Sequence, residues 1–85
     1  MITRKEVGEK LQAYLNEEIA LEQLVDWAEN AMVDVDFEDD YVELLSNVVG
    51  RIGLADVENF KLYWEDIAAM LEKLGYRPTV ALKAA

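Results

Sequence analysis

Six carboxylates fall within ten residues, at Asp34, Asp36, Glu38, Asp39, Asp40 and Glu43. Acids at this density act either as hard oxygen ligands for a cation or as an anionic docking patch. The alternation of Asp34, Asp36 and Glu38 is the spacing with which a calcium loop begins. A loop starting at Asp34 would then need a glycine at position 39 and a glutamate at position 45, where the chain carries Asp39 and Leu45. No metal site is therefore expected here. Val35 and Phe37 interleave the acids and read as side chains turned toward a core, which leaves a solvated patch suited to cationic partners.

Histidine and cysteine are absent, and Ser46 is the one serine. Imidazole-assisted acyl transfer, thiolate nucleophiles and the usual zinc sites are excluded on that ground. A glycosidase-like carboxylate pair needs none of these residues, and eighteen acids make such a pair unavoidable by chance. It also needs a cleft that encloses a sugar, which four short helices rarely form. The expectation is a protein that is not an enzyme and takes no cofactor. Among the aromatic residues, Trp27 and Tyr63 lie off or at the edge of the apolar stripes and are candidate exposed contacts. Tyr41 and Trp64 fall on stripes and are expected in the core.

The charge is regional. Between Glu17 and Asp66 stand fifteen carboxylates and two basic side chains, Arg51 and Lys61, a formal −13, whereas the first sixteen residues sum to +1 and the last nineteen to +2. Such a field repels nucleic acid and anionic membranes and steers cationic partners inward. A DNA-reading helix must bring lysine and arginine to phosphates, and each helix within this region brings carboxylates. The start, MITRKEVGEK, has no apolar run behind its positive charge, and nowhere does the chain approach the roughly 20 apolar residues that cross a bilayer. A soluble, cytoplasmic protein is expected, consistent with its lack of cysteine.

The elements that must hold these residues are helical. Hydrophobic residues make up 53% of the 85-residue chain, enough for one small folded domain. Thr3 and Glu6 fit a capping box for a first helix over residues 4–15, with Val7, Leu11, Tyr14 and Leu15 on one face and Asn16 as its stop. A second helix over 21–32 has an apolar stripe of Leu21, Leu24, Val25, Ala28, Ala31 and Met32. Its start is weakly marked, because Ala20 has no side-chain acceptor. The third helix is predicted to begin within 37–41, capped by Asp36 or Asp39, with Tyr41, Leu44, Leu45, Val48 and Ile52 inward and Val42 and Val49 flanking. Gly53 fits its left-handed stop. The fourth is predicted over 64–74, with Trp64, Ile67, Leu71 and Leu74 inward and Gly75 ending it. Residues 55–62 read as a connection with room for a helical turn at 56–60. Residues 1–76 thus form one all-α domain, a compact bundle of four short helices. An extended tail over 77–85 follows Arg77-Pro78, and its segment 79–82 is compatible with a strand, a packed tail or disorder.

In size, acidity and helix number the chain resembles the small acidic immunity proteins of bacteria, four-helix domains that inhibit nuclease toxins through an acidic face. The likeness covers the whole chain at that level and rests on no motif. The colicin-type members carry Tyr-Tyr-Pro on a short third helix, and this chain has Tyr63-Trp64 without the proline, so no residue is carried over. The segment YLNEEIALEQLVDWAENAM also resembles helical pairs of bacterial proteins described as immunity-like. The resemblance implies binding to a basic protein such as a toxin. The charge concentration itself, and not the resemblance, places the expected partner-binding site at Asp34, Asp36, Glu38, Asp39, Asp40 and Glu43 on one continuous face, with Trp27 and Tyr63 as further contacts. The alternative is a structural or self-associating module, a homodimer whose acidity keeps surplus apolar side chains in solution.

Overall fold

The structure, a computed structural model, describes residues 1–34, 36–57 and 61–77, with Asp34 described in its backbone alone. Its helices are α1 (Arg4–Leu15), α2 (Leu21–Asp34), α3 (Val42–Gly53), preceded by a 3₁₀ turn at Asp39–Tyr41, and α4 (Trp64–Lys73). The expected tail beyond Arg77 and residues 58–60 of the turn expected at 56–60 lie outside the described residues.

Several helix ends have an identifiable physical cause. Thr3 Oγ1 accepts from the Glu6 N–H at 3.1 Å, which is half of the predicted box. The Glu6 carboxylate does not complete it, and Glu6 Oε2 is buried without a hydrogen-bond partner. The starts of α2 and α4 share another device. Ala20 and Tyr63 offer no capping oxygen, so the residue three positions on reaches back: Gln23 Oε1 accepts the Ala20 N–H at 2.7 Å, and Asp66 Oδ2 accepts the Tyr63 N–H at 3.0 Å. The weak signal at Ala20 is thereby made good from Gln23.

Two helices end in left-handed stops, one foreseen and one not. At α4, Gly75 (φ 93°) directs its N–H to the Glu72 carbonyl, and the Tyr76 N–H returns to the Leu71 carbonyl. At α1 the same pair of bonds runs from Glu17 to Tyr14 and from Glu18 to Ala13, with Glu17 itself at φ 61°. A side chain at this position costs about 1 kcal/mol that glycine avoids. Gly53, expected to be such a stop, is instead the last residue of α3, with Leu54 as cap. A Cβ at Gly53 would lie 4.0 Å from Ala28 Cβ, an ordinary van der Waals distance, so the packing of α3 on α2 does not require glycine there.

Those two helices form the most extensive pair, and α1 packs on both while α4 closes against α1. Leu24 and Ala28 from α2, Leu45, Val49 and Ile52 from α3, Val7 and Leu11 from α1 and Leu71 from α4 make one apolar cluster, in which Phe37 is also buried. Three expectations are corrected by it. Val49 is fully buried rather than flanking, because α3 meets two neighbours and needs a wider apolar arc. Met32 is exposed near the end of α2. Trp64 is 45% exposed, and Met70 fills the inner face of α4 in its place. Neither Asp36 nor Asp39 caps α3, whose N-cap is Tyr41.

Candidate functional site

Past α2 the backbone at residues 36–38 is held by Ile2, 35 positions before Phe37. Ile2 and Phe37 form a single parallel bridge in which the Ile2 N–H donates to the Asp36 carbonyl at 2.6 Å and the Glu38 N–H to the Ile2 carbonyl at 2.8 Å. This pairing aims Phe37 into the core and the flanking acids outward.

Two of the six acids are thereby taken up in structure. Asp36 Oδ2 is 3.4 Å from the Met1 amino group, an exposed pair. Glu38 Oε1 accepts the Arg4 N–H at 3.1 Å and lies 3.9 Å from Arg4 Nε, so a carboxylate sits on the positive end of α1. The Arg4 side chain contributes mainly through its face. Its guanidinium carbon lies 3.9 Å from the centre of the Tyr41 ring, while Nε is buried without a hydrogen bond. A Cβ at Gly75 would lie 3.6 Å from Arg4 Nη1, so this one residue joins the start of α1, the 3₁₀ turn and the end of α4. The expectation of one uninterrupted acidic face is corrected here: Asp36 and Glu38 fasten the amino-terminal arm.

Asp39, Asp40 and Glu43 are exposed, and none of them makes an ion pair among the described residues. Asp40 and Glu43 flank a shallow groove of about 380 Å³ whose floor is Tyr41, Leu44 and Asn47. Two carboxylates beside a mainly polar concavity suit the charged end of a lysine or arginine side chain, with Tyr41 and Leu44 as the apolar part of the lining. Among the described residues no three acids converge closely enough to hold a metal ion. The Asp34 side chain lies outside the described residues.

Trp27 and Tyr63 are not brought to this groove. Trp27 is half-buried against the core, with Lys10 Nζ 6.0 Å from its ring centre. Tyr63 is 63% exposed at the start of α4. Arg4 and Tyr41 are the parts of the site that periodicity does not mark for this role. Their contact joins the 3₁₀ turn to a residue 37 positions earlier, and no local pattern encodes it.

Among the described residues no helix is long and apolar enough to cross a membrane. Compared with protein-family models, with curated proteins and with solved structures, the chain finds no match.

Proposed function

We propose that this protein is a non-enzymatic binding module that docks a basic protein partner through Asp39, Asp40 and Glu43. The observation that carries this reading is that these three carboxylates are exposed and make no ion pair among the described residues, in a chain of net charge −10. Such a surface speeds encounter with a cationic partner and gives an association that weakens with salt. An immunity-type inhibitor that covers a basic toxin is the specific form favoured by its size, acidity and four helices. Nucleic acid and anionic membranes are disfavoured as partners by the same charge.

The test is capture at low ionic strength from an extract of the host, followed by elution with salt. A cationic protein released by salt is the expected result, and an extract that yields none refutes the reading. Self-association is the second reading, favoured by Val33 at 82% exposure, with Met32 and Val42 also exposed near the acids. Sedimentation as a strict monomer at every accessible concentration and at moderate salt would remove it.

A further inference from the structure

The 3₁₀ turn that carries Asp39 and Asp40 has little of its own to hold it. It is three residues long, none of them is buried, and neither Glu38 before it nor Tyr41 at the start of α3 supplies a side-chain cap. It is closed by the Tyr41 N–H, which donates to the Glu38 carbonyl at 2.9 Å. One helical turn gains too few bonds to offset the ordering of its backbone in water, and crowded carboxylates add repulsion. The support comes from the other end of the chain. At the entry to the turn the Glu38 N–H donates to the Ile2 carbonyl at 2.8 Å, and the Glu38 carboxylate accepts the Arg4 N–H at 3.1 Å. At its exit the Arg4 guanidinium carbon lies 3.9 Å from the centre of the Tyr41 ring. Arg4 therefore touches both ends of a turn that is otherwise exposed.

We infer that Arg4 is a positioning residue for the acidic turn, and that the fastening of the amino-terminal arm controls whether Asp39 and Asp40 are presented in one arrangement. The inference rests on the reading of Asp39, Asp40 and Glu43 as the docking surface and names what governs that surface. With the arm released, the turn frays and its carboxylates disperse. Affinity for a cationic partner then scales with the fraction of molecules whose arm is fastened. The coupling is reciprocal, so a partner bound at the turn also holds the arm in place. The sign of the effect separates positioning from charge. Loss of the one positive charge of Arg4 takes the chain from −10 to −11, which on charge alone strengthens the attraction of a cation. Loss of positioning weakens it.

The probe is a fluorescently labelled octalysine peptide, titrated at low salt and followed by anisotropy, with amide hydrogen exchange measured by NMR on the same variants. Arg4→Ala should bind about five-fold more weakly, as when only about a fifth of the molecules keep the turn formed. Arg4→Lys keeps the charge without the planar group and should bind roughly two-fold more weakly. The Glu38 and Tyr41 amides should be protected in the parent and lose most of that protection in Arg4→Ala, while the Ile52 amide of α3 stays protected in the same sample. Ile67→Val, in the buried face of α4, lowers stability without touching the turn, and its affinity should stay within about 1.5-fold of the parent because nearly every molecule remains folded. Arg4→Ala that binds as tightly as the parent or more tightly, turn amides that keep their protection in it, or an equal loss of affinity in Ile67→Val each overturns the inference. The triple exchange Asp39→Asn, Asp40→Asn, Glu43→Gln judges the docking reading separately. If it leaves octalysine binding unchanged, that reading fails, and the protection of Glu38 and Tyr41 still decides whether Arg4 holds the turn.

Discussion

Replacing Glu38 by alanine should loosen the amino-terminal arm, and the size of the effect follows from what Glu38 Oε1 touches. It accepts the Arg4 N–H at 3.1 Å, one of the donors that a helix start leaves unpaired. Loss of a side-chain acceptor there costs roughly 0.5 to 2 kcal/mol. The loose pair with Arg4 Nε at 3.9 Å is partly exposed and adds no more than about 1 kcal/mol. The sum is about 0.5 to 3 kcal/mol. For a domain of this size each kilocalorie moves the melting temperature by about 4 to 8 °C, so Glu38→Ala should melt roughly 2 to 24 °C lower. Glu38→Gln keeps an acceptor oxygen and loses only the charge, so its drop should be well under half as large. Asp40→Asn, equally a loss of one negative charge, should fall within about 0.5 kcal/mol of the parent. Melting followed by circular dichroism at constant salt separates the three. If Glu38→Ala and Asp40→Asn melt together, the fastening of the arm by Glu38 is wrong.

The remaining expectations concern packing and charge. Gly50 faces open space inside α3, so Gly50→Ala should stabilise by about 0.5 to 1 kcal/mol in urea unfolding. Gly8→Ala gains the same helix preference, but its Cβ would lie 3.0 Å from the Tyr76 ring. It should therefore destabilise, and combining it with Tyr76→Ala should reverse the sign. Leu45 is fully buried, and Leu45→Ala should cost about 2 to 5 kcal/mol with no change of fold by circular dichroism. Raising salt from about 50 to about 300 mM should raise the melting temperature by screening the self-repulsion of a net charge of −10.

The helices were legible because their signals are local. Thr3 marks the start of α1, Gly75 marks the end of α4, and the 3.6-residue stripes of α2 and α3 identify Leu24, Ala28, Leu45 and Ile52 as core. What was not legible depends on neighbours. Gly53 reads as a left-handed stop, yet it stays helical and α3 ends at Leu54, which no local pattern distinguishes from a stop one residue earlier. Trp64 obeys the α4 stripe yet opens the helix, where the stripe overhangs the core and faces a groove. Glu17 gives no hint of a left-handed backbone, since its type has no preference for one. The acids of the turn could be counted in sequence. Their division into Glu38, held by Arg4, and Asp40 and Glu43, which stay free of ion pairs among the described residues, required the contact between residues 4 and 38.

The most direct measurement compares two triple variants of equal charge for binding to the cationic protein captured from the host. One removes the acidic turn (Asp39→Asn, Asp40→Asn, Glu43→Gln), and the other removes three exposed acids of α2 (Glu22→Gln, Asp26→Asn, Glu29→Gln). Calorimetric titration at low salt should show affinity falling at least ten-fold for the first and by less than about three-fold for the second. Equal losses in the two would mean that net charge alone holds the partner, and the assignment of a docking face to Asp39, Asp40 and Glu43 would be contradicted.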